Sequence, residues 1–148
     1  AALIVISPKS NFDIIPWGTA LIVGAGPAMA TTLVLFCSHF HQINQDAAVG
    51  KKSPLVILGT HRAAEFLPWF VGLIFLLELL PVLLGLWPIT TLICLISLPS
   101  GIDLIKLIKR HHNQPERIKN SKFLALRFQT INGLCLSAGF AISSFFYN

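Results

Sequence analysis

Apolar residues run along this chain in long, nearly unbroken stretches that short polar segments separate. A helix that crosses a bilayer needs about 20 mostly apolar residues. Four stretches have that character: residues 14–37, 66–84, 88–108 and 123–146. The chain also opens with six apolar or small residues, too few to span, which resemble the tail of a helix that begins earlier. The pattern predicts an all-α integral membrane protein with about four transmembrane helices, in a single membrane domain over residues 1–148.

Cations occur mainly in alternate connections between these stretches. Segments 38–65 and 109–122 hold most of the lysines and arginines, whereas the turn at 85–87 holds none. Short loops rich in lysine and arginine stay on the cytoplasmic side of a membrane. The pattern therefore predicts that both segments are loops on the cytoplasmic side, or on the equivalent side of an organelle membrane, and that the lipid bilayer surrounds the spans.

Composition excludes several classes of function. Hydrophobic residues make up 54% of the chain and charged residues 11%, whereas a soluble domain has roughly a quarter charged. The net charge of +5 would suit nucleic acid, but the cations lie beside apolar spans without the interleaved aromatic residues that stack on bases. We therefore expect no nucleic-acid partner. The three cysteines, Cys37, Cys94 and Cys135, lack metal-ligand spacing and are expected to be buried apolar residues.

Candidate chemistry concentrates where the first apolar stretch meets water. Polar groups at the end of a membrane helix are costly to place and usually mark a site. Asp46 has two interpretations: it caps a helix or pairs with Lys51 or Lys52, or it binds a divalent cation together with a diphosphate. In the second case Lys51 and Lys52 would bind phosphate oxygens, and Gly50 would allow a sharp turn before them.

Two histidines precede this aspartate. His39 and His41 are two residues apart and do not share one face of a helix. They are candidate ligands for a metal or for a chlorophyll magnesium, or they make ordinary hydrogen bonds at the interface. Gln42 lies one helical turn before Asp46, so the two side chains would meet on one face if the helix continues that far.

Polar residues also occur inside the later apolar stretches. Glu78 lies in mid-span, and a carboxylate there is either functional or a protonated or hydrogen-bonded side chain facing the bundle. Arg127 either contacts a substrate or extends to the interface. Gln129 and Asn132 share a face and either join helices or line a cavity. The pattern alone leaves these alternatives open.

The segment around Asp46 resembles the second Asp-rich motif of the UbiA-type membrane prenyltransferases. The matching residues are Gln42, Asp46, the Gly-Lys-Lys-Ser at 50–53 and the Leu-Gly-Thr at 58–60. The flanking segments 36–42 and 125–133 are most similar to the cyanobacterial and plastid branch of that family. This branch includes the 1,4-dihydroxy-2-naphthoate phytyltransferases of phylloquinone and menaquinone synthesis.

The resemblance implies a helical bundle that holds Mg²⁺ and a prenyl diphosphate at two Asp-rich motifs, and that transfers the prenyl group to an aromatic acceptor. Asp46 would be the catalytic Mg²⁺ ligand, with Gln42 in the place of an earlier aspartate. Lys51 and Lys52 would bind the diphosphate, and Arg127 is a further candidate substrate contact. The resemblance also implies a cyanobacterial cell or thylakoid membrane, or a plastid thylakoid, as the location.

The sequence departs from the family pattern in two respects. Asn44 and Gln45 stand where relatives carry acids, and the first Asp-rich motif is not found in this sequence. We therefore expect the chain to correspond to the last four helices of a bundle of about nine, that is, the carboxy-terminal half of an enzyme that needs its amino-terminal half for activity. The alternative is a non-catalytic membrane subunit derived from this family. Such a subunit would pack in a photosynthetic complex, with His39 or His41 binding chlorophyll and with lipid in the former cavity.

Overall fold

The computed structural model describes residues 17–146, and the expectations for residues 1–16 lie outside that range. All regular structure in the described part is helical, which confirms the all-α prediction. The α-helices are α1 (Trp17–Ala48), α2 (Pro54–Leu58), α3 (Thr60–Leu83), α4 (Leu98–His111), α5 (Pro115–Ile118) and α6 (Ser121–Phe146), and a 3₁₀ helix (Ile89–Ser97) leads into α4.

Three helical segments of the described chain are long and apolar enough to cross a membrane, and they confirm the membrane-protein class. They are Leu21–Ala48, Thr60–Leu83 and Ile89–His111, the last formed by the 3₁₀ helix and α4 together. Helix α6 corresponds to the fourth predicted span, and its 26 residues give it ample length. It is not one of the three, because Arg127, Gln129 and Asn132 make it more polar, and its crossing remains a prediction.

Helix α1 extends well beyond the predicted end of the first span. Residues 38–48, expected in a connecting loop, are helical, and α3 begins already at Thr60. The reason is that apolar residues continue at helical spacing through this polar stretch: Leu33, Cys37 and Phe40 are fully buried on one face. The polar residues between them face the other way, so the loop between the two long helices is shorter than expected.

The 3₁₀ helix changes to an α-helix at Pro99. Proline has no N–H to donate to the carbonyl four residues earlier, so a regular α-helix is disfavoured just before it. Here the N–H of Leu98 bonds the carbonyl of Leu95, which is 3₁₀ spacing. The side chains of Thr91 and Ser97 also bond carbonyls three residues back. Pro99 therefore marks the change from 3₁₀ to α geometry within the Ile89–His111 segment.

The bundle core lies where α1 packs against α3 and α6. Phe36 of α1 stacks on Phe70 of α3 with ring centroids 5.6 Å apart, and Phe75 meets Phe128 of α6 edge-on at 5.9 Å. The Ser121 hydroxyl donates a hydrogen bond to the Cys37 carbonyl at 3.1 Å. These contacts fix the start of α6 beside the carboxy-terminal half of α1.

A second contact region lies toward the opposite end of the bundle. Trp87, Cys94 and Leu136 are buried together there. Gly139 of α6 packs so closely on the 3₁₀ helix that an added Cβ would lie 2.6 Å from the Thr90 carbonyl oxygen. Cys37, Cys94 and Cys135 are free thiols, the first two buried, in agreement with their expected apolar role.

The two cation-rich segments meet at one end of the bundle. Thr60 Oγ1, at the start of α3, lies 3.2 Å from His112 Nδ1, just beyond α4. The His61 and His112 rings are in edge contact at 5.4 Å. We call this region, where α1 and α4 end and α3 and α6 begin, the cationic end. The structure thus places both predicted loops on the same side of the bundle.

Candidate functional site

The candidate site is the Asp46 carboxylate at the cationic end. Asp46 lies in the last turn of α1 and is 7% exposed. Its Oδ1 accepts a hydrogen bond from Lys51 Nζ at 3.2 Å. Its Oδ2 lies 3.1 Å from His39 Nδ1. Because an ionised carboxylate only accepts hydrogen bonds, His39 Nδ1 carries the hydrogen in this contact.

The helix itself brings His39 to Asp46. The two residues are seven apart in α1, and seven residues of an α-helix return the side chain to within about 20° of its starting direction. The contact therefore follows from the continuation of α1 to Ala48. Sequence reasoning named His39 as a metal or pigment candidate and missed this contact, because it ended the span at residue 37.

The end of α1 brings Lys51 back to the same carboxylate. The Gly50 N–H bonds the Ala47 carbonyl at 3.1 Å, and the Lys51 N–H bonds the Asp46 carbonyl at 2.9 Å. This pair of bonds is a Schellman motif, whose left-handed position favours glycine. Gly50 occupies it with a φ of 70°. The turn that ends the helix thus directs the Lys51 side chain to Asp46.

The remaining predicted site residues are placed differently. Gln42 is part-buried in α1 one turn before Asp46, as the sequence predicted for a continuing helix. Lys52 is exposed beside Lys51. Among the described residues, neither Gln42 nor Lys52 forms a side-chain bond to Asp46. Arg127 lies on the exposed side of α6, and the described structure does not bring it to Asp46. The His41 Nδ1 is buried and has no hydrogen-bond partner in the described part of the chain.

The donor set at Asp46 could supply one ligand to a cation whose other ligands come from elsewhere. Within residues 17–146 no three His, Cys, Asp or Glu side chains are grouped so that they could hold a metal ion. Each Asp46 oxygen uses one acceptor direction for His39 or Lys51 and keeps another. Mg²⁺ commonly binds one or two carboxylates and completes its shell with phosphate oxygens and water. Asp46 fits that arrangement, and these residues alone do not form a complete metal site.

A second feature of the cationic end is an open cavity beside the start of α3. It has a volume of about 570 Å³ and is lined by Leu58, Arg62, Glu65, Phe66 and Trp69. Phe66 and Trp69 form the aromatic part of its wall, and Arg62 and Glu65 form the charged part. Asp46 is not among the lining residues. The cavity is thus an amphipathic surface whose lining does not include the Asp46 carboxylate.

Two curated proteins are similar to this chain. The 2-carboxy-1,4-naphthoquinone phytyltransferase of Synechocystis sp. is 39% identical over 112 residues, which cover 76% of this chain and 36% of that protein. The chloroplastic protein of the same name from Arabidopsis thaliana is 39% identical over 114 residues, which cover 76% of this chain and 30% of that protein. No family model matches the chain, and no solved structure matches it.

The chain spans about a third of the length of these two relatives (36% and 30%). At this identity the matched regions share more than a general membrane-helix composition, because apolar spans alone would not preserve two residues in every five. The comparisons thus confirm the resemblance expected from the Asp46 motif: this chain is similar, over 76% of its length, to part of the UbiA-type phytyltransferases.

Proposed function

We propose that this chain forms the carboxy-terminal part of an enzyme that transfers a phytyl group from its diphosphate to a naphthoquinone-type acceptor in quinone synthesis. The observation that carries the proposal is the paired Asp46 and Lys51 at the cationic end, in a chain 39% identical to two phytyltransferases. The compound in the names of these relatives, 2-carboxy-1,4-naphthoquinone, is the two-electron oxidised form of the 1,4-dihydroxy-2-naphthoate expected from the sequence. Both names therefore describe one ring skeleton.

The charges at the site suit a diphosphate. The Lys51 side chain is 53% exposed, so its ammonium group can turn from Asp46 to a phosphate oxygen while the long stem remains in place. Lys52 is exposed next to it and can bind a second oxygen. Asp46 alone would repel a diphosphate, which supports a cation between the two. Bound Mg²⁺ would neutralise charge on the diphosphate as its bond to carbon breaks.

The half-enzyme role is the second element of the proposal. Asp46 is the single carboxylate of the site in the described part of the chain, whereas the family pattern has two Asp-rich motifs. The amino-terminal part of the enzyme would supply the first motif and the remaining helices around the prenyl chain. We favour the enzyme over the alternative, a pigment-binding subunit, because the two similar proteins are phytyltransferases by name.

The relatives and the helices support a proposal for the location. Three segments are long and apolar enough to span a membrane, and the chain is an integral membrane protein. One relative is cyanobacterial and the other chloroplastic. We therefore propose a cyanobacterial cell or thylakoid membrane, or a plastid thylakoid, with the cationic end on the cytoplasmic or stromal side.

An Asp46→Asn variant tests the reaction. The enzyme containing this chain is purified from membranes and assayed with phytyl diphosphate, the carboxylated naphthoquinone in its reduced or oxidised form, and Mg²⁺. We expect turnover to fall by roughly 100-fold or more, because the amide lacks the charge that holds the cation. Glu65→Gln is the matched control, since this carboxylate is 63% exposed at the same end and contacts His61 only at 3.6 Å.

Two results would contradict the proposal. One is unchanged turnover in Asp46→Asn at normal abundance in the membrane. The other is absence of phytyl transfer by the wild-type enzyme with either redox form of the acceptor. Equal losses in Asp46→Asn and Glu65→Gln would show that general negative charge at the cationic end, and not the Asp46 site, supports the reaction.

A further inference from the structure

We propose that His39 is a positioning residue of the diphosphate site, whose Nδ1–H holds the Asp46 carboxylate in one orientation and so prepares it for a divalent cation bound with a diphosphate. This inference rests on the proposed function for the identity of the reaction. The contact that carries it is independent of that identity. The family resemblance gives roles to Asp46, Lys51 and Lys52, and none to His39.

The contact is well placed to fix the carboxylate. His39 Nδ1 and Asp46 Oδ2 are 3.1 Å apart, and the two side chains are only 22% and 9% exposed. A charge-assisted hydrogen bond shielded from water is stronger than the same bond at an open surface. An aspartate side chain rotates about two torsions, and the contacts with His39 and Lys51 restrict that rotation before any ligand binds.

The two partners of Asp46 differ in rigidity. Lys51 reaches the carboxylate on a long flexible stem from the turn after α1, and its side chain is 53% exposed. His39 has a short side chain on a helix that the fully buried Cys37 and Phe40 anchor in the core. When Lys51 turns to a phosphate oxygen, His39 therefore keeps the carboxylate in place. In this proposal His39 orients the Asp46 carboxylate and Lys51 binds phosphate.

Helix stability alone does not explain the arrangement. Asp46 lies in the last turn of α1, where the partial negative charge of the helix end disfavours a carboxylate. A structural aspartate is expected at the opposite end of a helix, where it caps free N–H groups. A carboxylate in an unfavourable place, held by a histidine and a lysine, indicates a requirement for negative charge at this point.

The test measures binding of Mn²⁺ together with inorganic pyrophosphate, by the paramagnetic resonance signal of free Mn²⁺. It uses the enzyme containing this chain, purified from membranes. We expect His39→Phe to weaken Mn²⁺ binding by about tenfold, the loss typical when a residue that orients a metal ligand is removed. His39→Asn should restore most of the affinity, because its amide N–H lies close to the position of Nδ1. His61→Phe is the matched control, since this histidine is 69% exposed and contacts Glu65.

Kinetics give a second readout that a purely structural histidine would not produce. His39→Phe should lower kcat with Mg²⁺ more than it raises KM for the prenyl diphosphate, because Lys51 still binds phosphate. A double variant with Asp46→Asn should bind Mn²⁺ and pyrophosphate no more weakly than Asp46→Asn alone, because the histidine then has no carboxylate to orient.

Several outcomes would overturn the inference. They are unchanged Mn²⁺ affinity in His39→Phe, equal losses in His39→Phe and His39→Asn, and additive losses in the double variant. If His39→Phe does not accumulate in membranes, His39→Asn and His39→Gln replace it in the test. His39→Asn should bind Mn²⁺ more tightly than His39→Gln, since only asparagine carries its donor at the Nδ1 position. A separate result is that the wild type binds Mn²⁺ and pyrophosphate in a way that depends on His39 and still fails to transfer phytyl groups. That result would contradict the proposed acceptor and not the role of His39.

Discussion

Two carboxylates in this protein are held by hydrogen bonds in opposite ways. Asp46, at the cationic end, is held by His39 and Lys51, seven and five residues away in the chain. Glu78, deep in the bundle, is 1% exposed and accepts a hydrogen bond at 2.9 Å from Asn132 Nδ2, 54 residues away. The first arrangement needs one helix and its terminal turn. The second needs α3 and α6 packed together.

The Asp46 contacts suit ligand binding, and the Glu78 contact suits the packing of the helices. Lys51 is half-exposed and can change partner, as a phosphate-binding residue must. The Glu78 contact is buried: Asn132 Nδ2 also lies 3.3 Å from Ser97 Oγ, and Gly26 of α1 packs on the Glu78 side chain. Glu78 faces the bundle and is hydrogen-bonded through one oxygen, while its Oε1 and Asn132 Oδ1 are buried without a hydrogen-bond partner in the described chain. Damage to the deep contact should affect stability, and damage at the cationic end should affect ligand binding.

The largest effect on stability is expected from Asn132→Leu. The change removes the donor to Glu78 inside the bundle and leaves a buried polar group without its partner, at a cost of about 1–3 kcal/mol. Thermal unfolding in detergent should occur several degrees lower than for the wild type. Thr130→Leu, on the exposed side of the same helix, is the control. If both variants unfold at the wild-type temperature, the deep contact does not stabilise the bundle.

A smaller loss of stability is expected from Gly26→Ala. An added Cβ would lie 2.7 Å from Glu78 Cγ and 3.0 Å from its Oε1, so the Glu78 side chain must shift, at a cost of about 1 kcal/mol because a single side chain has to move. Gly24→Ala is a close control, because a Cβ there meets nothing within 4 Å. Mn²⁺ and pyrophosphate binding at Asp46 should remain unchanged in both variants. A loss of that binding in Gly26→Ala would show that the two carboxylates are coupled.

The smallest effect on stability, with a clear effect on binding, is expected from Lys51→Ala. Lys51 is half-exposed in its ion pair with Asp46, and such a pair contributes about 1 kcal/mol or less to folding, so the unfolding temperature should hardly change. The KM for the prenyl diphosphate should rise roughly tenfold, because a hydrogen bond between charged groups is lost. Lys52→Ala should raise it less. Weaker binding of the aromatic acceptor, to the same degree, would instead indicate that Lys51 shapes the site as a whole.

The sequence predicts the long helices and the Asp46–Lys51 pair because both depend on local information. Apolar stretches of membrane length identify the spans, and a Gly-Lys-Lys turn directly after an aspartate limits how far Lys51 can be from it. The pairing of Glu78 with Asn132 is beyond such reasoning, since nothing within either helix specifies which polar residue of another helix it will meet. The apolar pattern also does not predict the 3₁₀ geometry of Ile89–Ser97, although Pro99 lies just beyond its end.

The contact between His39 and Asp46 lies between these cases. It is local, yet the hydropathy pattern does not predict it, because the polar residues from Ser38 onward end the first apolar stretch. The signal was present in the sequence: Phe40 and Ile43 continue the apolar face of the helix at spacings of three and four residues. Polar residues at a functional helix end break the hydropathy pattern, and the buried face then shows where the helix continues.

The Schellman motif at Gly50 has a consequence for how the site is made during synthesis. Asp46 and Lys51 are joined by a backbone hydrogen bond as well as by their side chains, so the two residues form a small closed ring at the end of α1. Rings of this size close within well under a microsecond once the helix exists. The Asp46–Lys51 ring can therefore form while the ribosome is still adding α3 and the helices after it. The later helices then pack against a carboxylate that is already hydrogen-bonded to Lys51.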